Sequence, residues 1–301
     1  MSAETTFDPI RYDGEFTENV DLGAKSWFRC GGKADLLFEP DSLQDLVNFL
    51  KEYPQNEPLT VIGGLANTII RDGGIRGITL QLGKPFSDIQ IRDKKIMVGA
   101  GTLNGSVASA AAKAGIGGLE FLSGIPGTVG GALSMNAGAY GAEVKDILIG
   151  AMAISREGQF VPLLPEDMKM GYRSCTVAKG TIFTGAVFEG KAESKNEVRK
   201  RLKEIKAQRQ KTQPISEKTG GSTFANPPGD LKAWQVVEKV GGRELQIGGA
   251  RMSDQHLNFM INAGDATAAD LEALGDELIK RAKDQLDIDL HWEVKRIGER
   301  G

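Results

Sequence analysis

The stretch GIGGLEFLSGIPGTVGGALSMNAGAYG, residues 115–141, is the most informative part of this sequence. It contains nine glycines without being a simple repeat, because bulky apolar residues and the polar Ser123 and Asn136 lie between them. A main chain with so few side chains can approach a ligand closely and turn its N–H groups toward phosphates. The alternative is a tight turn region between domains, but a loop of this length needs partners for its polar backbone groups. The stretch therefore predicts a surface over which a long, flat ligand lies.

Strand and helix patterns alternate around this stretch. They predict a strand at 34–40, a helix at 41–54, a buried strand at 59–64, a strand at 95–98 and an Ala-rich helix that ends at Gly115. Gly99 and Gly101 resemble part of a dinucleotide-binding fingerprint. However, Asn104 stands where the third glycine is required, and the acidic Glu120 lies in a glycine-rich loop. We therefore interpret the glycine pair as a packing turn.

A charged segment, KAESKNEVRKRLKEIKAQRQKTQP (191–214), follows. Val198, Leu202 and Ile205 fall at i, i+4 and i+7, which predicts a helix with one thin apolar stripe and a solvated remainder. Arg209 and Lys211, near the end of this helix, are candidates for phosphate contacts. We expect a domain boundary in this segment.

Two helices and a final strand are predicted in the C-terminal part. One helix, at 230–241, has Asp230 as its expected N-cap, and the other, at 267–286, has Thr267. The second helix is expected to turn three leucines inward: Leu271, Leu274 and Leu278. In IDLHWEVKRIG (288–298), alternation predicts a strand whose buried face comprises Ile288, Leu290, Trp292 and Val294. Glu293 then lies on the opposite face, either solvated or available to a site.

The segment GGSTFANPPGD (220–230) places Ser222 between two glycines and an Asn-Pro-Pro-Gly run. Glycine and proline disfavour a helix and a central strand, so we predict a loop, and a turn without chemistry is the simpler interpretation. The hydrolase pattern G-x-S-x-G does not fit, because Phe224 occupies the second glycine position and only His256 and His291 could serve as the base. A serine in this position can still act as a general acid.

Composition limits the classes of function. A chain of 301 residues is long enough for two or three packed units, and 40% hydrophobic residues, 26% charged residues and a net charge of -3 indicate a soluble globular protein without a nucleic-acid partner. No apolar run reaches the ~18 residues of a membrane span, and MSAETTFDPIRYDGEF at the N-terminus has no apolar signal region. Cys30 and Cys175 are predicted to be reduced thiols. We expect a cytoplasmic protein with no membrane partner and, since no His, Cys, Asp and Glu cluster has ligand spacing, no metal.

Seven blocks along the chain carry a family resemblance. They are WFRCGGKAD, VIGGLANTIIRDGGIRG, GLEFLSGIPGTVGGALSMNAGAYGAEVKD, GYRSC, GGSTFANP, SDQHLNFMIN and HWEVKRIG. In this order and spacing they resemble the UDP-N-acetylenolpyruvoylglucosamine reductases of peptidoglycan synthesis over nearly the whole chain. The resemblance implies a monomeric α+β protein with a vanillyl-alcohol-oxidase (PCMH) type FAD-binding domain in two halves, 1–84 and 85–200. A smaller α+β substrate-binding domain, 201–301, completes the expected fold.

The resemblance also implies a reaction. NADPH reduces FAD, and a second hydride transfer reduces the enolpyruvyl ether of UDP-N-acetylenolpyruvoylglucosamine to give UDP-N-acetylmuramate. Ser222 matches the family's catalytic serine, which protonates the carbon next to the one that receives hydride. Arg173 of GYRSC is expected to oppose the negative charge that grows on the substrate carboxylate. Glu293 of HWEVKRIG is expected to hydrogen-bond that carboxylate as a neutral acid, which requires a raised pKa.

By the same resemblance, two segments hold FAD largely through main-chain contacts. The first segment comprises Gly63, Gly64, Leu65, Ala66, Asn67 and Thr68. The second comprises Gly124, Ile125, Pro126, Gly127, Gly130, Gly131, Asn136, Gly138 and Ala139. Three further residues are expected to contact the substrate: Tyr172, Asn226 and Lys211.

The chain departs from the family pattern at two places. Leu65 and Ala66 stand where Gly-Ser is common, which removes a hydroxyl contact to FAD. Ala225 stands where a lysine is frequent, so we expect its contact to come from Lys211 or Lys218.

Other interpretations stay open. One branch of the family has an inserted loop with a tyrosine that closes over the substrate. This chain has no room for that loop, so it resembles the other branch, and neither Tyr140 nor Tyr172 takes that role. Two alternatives to the reductase remain: another flavin oxidoreductase on the same fold, such as an oxidase of small alcohols, and a flavin- or nucleotide-binding protein without turnover.

Overall fold

The structure is a computed structural model that describes residues 11–301. Residues 1–10, part of the N-terminal segment predicted to lack a signal region, lie outside the described residues. The helices are α1 (Leu22–Lys25), α2 (Leu43–Glu52), α3 (Asn104–Ala114), α4 (Val129–Ser134), α5 (Lys195–Thr212), α6 (Ala233–Lys239) and α7 (Ala268–Leu286).

The strands of the first half are β1 (Glu15–Val20), β2 (Ala34–Glu39), β3 (Leu59–Ile62), β4 (Thr68–Ile70), β5 (Ile75–Gln81), β6 (Ile89–Arg92), β7 (Lys95–Gly99), β8 (Ile116–Gly117), β9 (Gly138–Ala139) and β10 (Ala142–Glu143). Those of the second half are β11 (Leu148–Ile154), β12 (Phe160–Leu163), β13 (Ile182–Glu189), β14 (Lys191–Ala192), β15 (Thr219–Ser222), β16 (Gln246–Ile247), β17 (Ala250–Met252), β18 (Phe259–Asn262) and β19 (Lys295–Ile297).

The described chain divides into two compact units, both discontinuous in sequence. Unit 1 comprises the described residues up to Glu18, Leu36–Gly63 and Gly77–Ile205. Unit 2 comprises Asn19–Asp35, Gly64–Arg76 and Lys206–Gly301. The three-part division at 84/85 and 200/201 stays a prediction.

Unit 1 contains most of one sheet and all of another. The first sheet has the strand order β1-β2-β5-β3, with β3 parallel to β5. The second is antiparallel, in the order β12-β11-β13-β7-β6.

The helix predicted at 41–54 is α2, which starts where Ser42 Oγ accepts a hydrogen bond from Asp45 N–H. The strand predicted at 59–64 is β3, but it is not buried throughout, because Val61 is 46% exposed.

The segment after β7 folds as the sequence predicts. α3 follows the strand, ends before Gly115 and buries Ala108 and Ala111 in the unit 1 core. Glu120 lies in a short 3-10 turn and ion-pairs with Arg201 of α5 at 2.5 Å. It also accepts a hydrogen bond of 2.7 Å from Gly118 N–H. These structural partners of Glu120 agree with a packing turn rather than a dinucleotide fingerprint.

Unit 2 contains an antiparallel sheet of order β15-β18-β17-β16, packed with α6 and α7. The prediction for α7 is confirmed: Thr267 is its N-cap, and its three inward leucines are fully buried. The predicted start of α6 is wrong, because the helix begins at Ala233 with Lys232, not Asp230, at the N-cap position. The Asn226 side chain accepts a hydrogen bond of 3.0 Å from Ala233 N–H and supplies the missing cap from the preceding loop.

The last segment alternates as predicted but forms little sheet. Leu290 and Val294 are buried, and Glu293 is half-buried. Trp292 forms a single bridge, to Phe224, and the regular ladder is confined to β19, parallel to β4. The N–H groups of Glu293 and Val294 both donate to the Thr223 carbonyl, at 2.8 and 3.3 Å, which interrupts the one-to-one pairing of a ladder. Among residues 11–301, no helix combines the length and apolar character that crossing a bilayer requires.

Candidate active site

Ser222 lies at the end of an edge strand, not in a loop. β15 pairs with β18 through Thr219 with Ile261 and Ser222 with Phe259, and the register shifts between these pairs. Gly221, with φ of 86°, adopts the left-handed conformation that such a bulge uses. The loop prediction is therefore wrong for residues 220–222, because an edge strand tolerates a glycine bulge. The half-buried Ser222 has no side-chain hydrogen bond to any part of the described chain.

Buried polar groups hold the main chain directly after Ser222. Thr223 N–H donates to the Asn258 carbonyl at 2.7 Å, and Thr223 Oγ1 accepts from Met260 N–H at 2.9 Å. Phe224 is bound at both backbone groups by the Asn258 side chain. Its N–H donates to Oδ1 at 3.0 Å, and its carbonyl accepts from Nδ2 at 2.8 Å. The main chain is therefore fixed after Ser222 by these hydrogen bonds and before it by the pairing of β15 with β18.

Glu293 lies on the segment that runs beside these residues. Its N–H donates to the Thr223 carbonyl at 2.8 Å, and Ala225 N–H donates to the His291 carbonyl at 2.9 Å. Asn67 Nδ2 donates to the Glu293 carbonyl at 3.1 Å. The structure thus brings two predicted catalytic residues, Ser222 and Glu293, onto adjoining segments, together with Asn67 of the predicted FAD set.

The Gly64–Thr68 segment of unit 2 carries the first departure from the family pattern. Leu65 adopts a left-handed conformation with φ of 50° and is buried, as is Ala66. The Leu65 carbonyl accepts a hydrogen bond of 3.3 Å from Trp27 N–H. A left-handed leucine costs roughly 1–2 kcal/mol. This cost explains why glycine suits the position, and burial of the leucine side chain offsets it here.

Arg173 belongs to unit 1 and sits in a tight turn. Gly171 and Ser174 are bridged across the turn, and Arg173 adopts φ of 51°. Its Nη2 donates to the Gly138 carbonyl at 2.8 Å, and its guanidinium carbon lies 5.0 Å from the centre of the Tyr172 ring. The guanidinium is therefore oriented by two predicted ligand-binding residues.

Asn136 holds the same turn from the other side. It is fully buried, and its Nδ2 donates to the Gly171 carbonyl at 2.8 Å and to Glu143 Oε2 at 2.9 Å. Its Oδ1 accepts from Lys145 N–H at 2.9 Å. The hydrogen bond from the Lys145 ammonium, with smaller contributions from Asn136 and Arg173, holds the pKa of Glu143 below its usual value. The side chain of Asn136 thus has a positioning role that its assignment to the FAD set did not anticipate.

A cavity of about 210 Å³ opens in unit 1. Gly63, Gly130 and Gly131 present bare main chain to it, beside Thr128 and Cys175, and burial raises the pKa of the Cys175 thiol. The apolar lining of the cavity includes Ile62, Leu82, Val177 and Phe183. Bare main chain beside apolar side chains fits a flat, partly apolar group such as part of FAD. The volume lies below the ~300–1,000 Å³ of whole ligand sites, so it suits part of a dinucleotide.

The other predicted residues occupy separate places. Gly124–Gly127 directly precede Thr128 of the cavity lining, and Gly138 and Ala139 form β9. Lys211 is exposed on the last turn of α5, and Tyr172 is 50% exposed. Lys218 Nζ donates to the Gly264 carbonyl at 3.4 Å. Their contacts with FAD or substrate stay predictions.

The sequence patterns predicted no role for Asn258, which lies in the block SDQHLNFMIN. A single amide inside the apolar run LNFMI is the signal that could have found it, because a buried polar side chain needs partners. For the neighbouring His256, the sequence suggested only the role of a hydrolase base, which the serine pattern does not support. Its Nδ1 accepts from Asn258 N–H at 3.2 Å, its ring lies 4.6 Å from that of Phe259, and burial lowers its pKa. In the part of the chain that the structure describes, no three His, Cys, Asp or Glu side chains group as a metal site.

Comparison with known proteins places these features in a family. Residues 34–163 match the FAD binding domain model, and residues 213–297 match the C-terminal domain model of UDP-N-acetylenolpyruvoylglucosamine reductase. The reductase of Phenylobacterium zucineum is 47% identical, over 95% of this chain and 96% of that protein. That of Maricaulis maris is 46% identical, over 95% and 92%.

A solved structure agrees with the sequence comparisons. The crystal structure of UDP-N-acetylenolpyruvylglucosamine reductase from Thermus caldophilus has a TM-score of 0.79 and 32% identity, and covers 95% of this chain and 99% of that one. The predicted α+β fold with an FAD-binding domain and a distinct C-terminal domain is confirmed. The chain belongs to the UDP-N-acetylenolpyruvoylglucosamine reductase family.

Proposed function

We propose that this chain reduces UDP-N-acetylenolpyruvoylglucosamine to UDP-N-acetylmuramate, a step of peptidoglycan synthesis, with bound FAD and with NADPH as reductant. Family membership and the FAD binding domain support the reaction class. The observation that carries the residue assignment is the 2.8 Å hydrogen bond from Glu293 N–H to the Thr223 carbonyl, next to Ser222. FAD, when bound, supplies hydride to the methylene carbon of the enolpyruvyl group.

Ser222 is proposed to protonate the adjacent carbon of the substrate. A hydroxyl is a weak acid, so the carbon that it protonates must carry negative charge, as it does once hydride has reached the methylene carbon. Proton transfer also requires a donor held within about 3 Å of its acceptor. The edge strand that ends at Ser222 and the two hydrogen bonds from the Asn258 side chain to the Phe224 backbone supply that rigidity.

Arg173 and Glu293 are proposed to act on the substrate carboxylate. The negative charge formed at the carbon spreads into that carboxylate, where a guanidinium can form paired, charge-assisted hydrogen bonds. Glu293, as a neutral acid, donates a further hydrogen bond. The left-handed turn and the bond to Gly138 orient Arg173, and the bond from Asn67 fixes the Glu293 backbone.

Further assignments belong to the same proposal. Tyr172, Asn226 and Lys211 are proposed to contact the UDP-sugar. The protein is proposed to be a cytoplasmic monomer without a nucleic-acid or membrane partner. The net charge of -3 argues against a nucleic-acid partner.

An anaerobic visible spectrum tests the reaction. We expect flavin absorption that bleaches with NADPH and returns when UDP-N-acetylenolpyruvoylglucosamine is added. Return only on admission of oxygen would indicate an oxidase on the same fold. Bound flavin that NADPH does not bleach would indicate a binding protein, and failure to bind flavin on reconstitution would remove the FAD assignment.

Ser222→Ala separates the two half-reactions. We expect it to bind FAD and to be bleached by NADPH at the parent rate, but to lose at least ~100-fold in the return of absorbance with substrate, within the range of general acid catalysis. A parent-like return would show that Ser222 is not the proton donor.

A further inference from the structure

Trp292 connects the segments that carry Ser222 and Glu293. It directly precedes Glu293 and forms the backbone bridge to Phe224, two residues after Ser222. The Trp292 and Phe224 rings also pack together, with centroids 5.5 Å apart. A shift of the indole therefore moves the main chain at both residues.

Two residues of α7 set the position of this ring. Trp292 Nε1 donates to Asp276 Oδ1 at 3.0 Å. A Cβ added to Gly275 would lie 2.1 Å from two carbons of the indole, so the ring can lie against the helix only because position 275 is glycine. Glycine in the interior of a helix is destabilising, which makes this close approach a reason for its presence.

Arg296 covers the remaining face of the indole. Its guanidinium carbon lies 4.6 Å from the ring centre, and Nη1 lies 3.5 Å from Asp276 and 3.6 Å from Glu272. Glu272 is buried and accepts three hydrogen bonds from Arg71 at 3.0–3.2 Å. The indole is thus held by packing against Phe224 and Gly275, by one hydrogen bond and by one cation on its face.

We propose that Trp292 is a positioning residue for the proton-transfer step, and that Gly275 and Asp276 of α7 set its ring so that Ser222 and Glu293 keep one relative geometry. The inference rests on the proposed function. It assigns no contact with the substrate to any of the three residues. Catalytic geometry is sensitive to shifts of about 1 Å, which can cost about 100-fold in rate.

Asp276 separates a positioning role from a structural one. Its side chain is 52% exposed, so its hydrogen bond contributes little to stability. For Asp276→Ala we expect reoxidation of reduced flavin by saturating UDP-N-acetylenolpyruvoylglucosamine, measured by anaerobic stopped flow, to slow at least ~10-fold. Flavin reduction by NADPH, the substrate concentration for half-maximal reoxidation and the melting temperature should stay near parent values.

Three variants complete the experiment. Asp276→Asn keeps an acceptor for the indole N–H and should recover most of the rate. Glu277→Ala removes an ion pair with Arg281 on the same helix, next to Asp276, and should change neither half-reaction. Gly275→Ala should slow reoxidation more than Asp276→Ala does, because its methyl group displaces the ring.

The outcomes are distinct. Parent-like reoxidation in Asp276→Ala would overturn the proposal, and so would an equal slowing of both half-reactions with a lower melting temperature. If Gly275→Ala does not fold, Asp276→Ala and Asp276→Asn still decide the question. Failure of the parent itself to be reoxidised by the enolpyruvyl substrate would instead refute the proposed function.

Discussion

The backbone N–H of Glu293 donates a 2.8 Å hydrogen bond to the carbonyl oxygen of Thr223, the residue that follows Ser222. The two residues are separated by most of the C-terminal sequence, so the bond depends on the folded state of unit 2. On the other side of the strand, Asn258 fixes the same segment through Thr223 and Phe224. The geometry at Ser222 therefore depends on side chains that need not touch the substrate.

Asn258→Ala tests this dependence. The change leaves the buried N–H and carbonyl of Phe224 without partners, at about 1–3 kcal/mol for each unsatisfied group. We expect urea unfolding to show a loss of about 2–4 kcal/mol. We also expect the reoxidation half-reaction to slow by at least ~10-fold while NADPH still reduces the flavin.

Asn258→Asp provides the matched comparison. It keeps the acceptor for Phe224 N–H but places a second acceptor against the Phe224 carbonyl. We expect it to be no more stable than Asn258→Ala. Parent-like stability in either variant would mean that the Asn258 side chain does not hold this segment.

His256 should make stability depend on pH near neutrality. Burial lowers the pKa of its imidazole, so protons bind the unfolded chain more readily than the folded one. The stability that comes from neutral His256 is fully present above the pKa of histidine in the unfolded chain, about 6.5. It is lost as the pH falls from that value through the lower pKa of the folded state. Because one proton is involved, the free energy of unfolding changes by at most about 1.4 kcal/mol per pH unit.

The measurement is urea unfolding of the parent and of His256→Gln at pH 7.5 and 5.5. We expect the parent to lose more stability than the variant between these pH values. Glutamine retains an acceptor that can reach Asn258 N–H, so the two proteins should be similar at pH 7.5. An equal pH dependence would assign the loss to other groups.

Replacement of Asn104 by leucine should stabilise the flavin-free protein. The side chain is 1% exposed, and neither of its polar atoms has a hydrogen-bond partner within residues 11–301. Burial of an unpaired amide costs about 1–3 kcal/mol in protein mutational data. We therefore expect Asn104→Leu to raise the free energy of unfolding of the flavin-free protein by about 1 kcal/mol. A loss of stability would show that the amide is hydrogen-bonded in solution, for example to a buried water.

Local patterns in the sequence predicted much of the fold. Thr267 is a short polar N-cap followed by an amphipathic run, and α7 begins as predicted. The helix predicted at 41–54 begins two residues later, at Leu43, with Ser42 as its N-cap. The prediction of Asp230 as N-cap was wrong because Asn226, seven residues before Ala233 in the preceding loop, accepts the hydrogen bond at the start of α6. The local sequence does not show which of the polar residues before α6 caps the helix.

The site was predicted by residue type more than by arrangement. Ser222 and Glu293 were named from family blocks, and the structure places their segments side by side. The strand character at Ser222 was missed because two glycines predict a turn locally, whereas pairing with β18 accommodates them as a bulge. The positioning roles of Asn258, Trp292 and Asn136 depend on contacts between distant segments, which a single sequence does not record.

Gly63 provides the most direct test of the cavity in unit 1. A Cβ at this position would lie 2.8 Å from Thr128 Oγ1, and both residues line the cavity. Since the Thr128 hydroxyl can rotate away, Gly63→Ala should fold, but its methyl group or the displaced hydroxyl would occupy space that the ligand needs. We expect the Kd for FAD, from quenching of flavin fluorescence on titration, to rise by about 10-fold, which corresponds to about 1.4 kcal/mol.

Thr128→Ala is the partner variant, because it removes the hydroxyl that the new methyl group meets. In the double variant we expect most of the affinity to return, which is the non-additivity of residues in contact. Gly105→Ala is the matched control: a Cβ there meets nothing within 4 Å, so FAD affinity should not change. If Gly63→Ala binds FAD like the parent, this cavity does not hold the flavin nucleotide. If it binds weakly and Thr128→Ala does not restore affinity, the methyl group itself meets the ligand, and the Gly63 main chain lies against it.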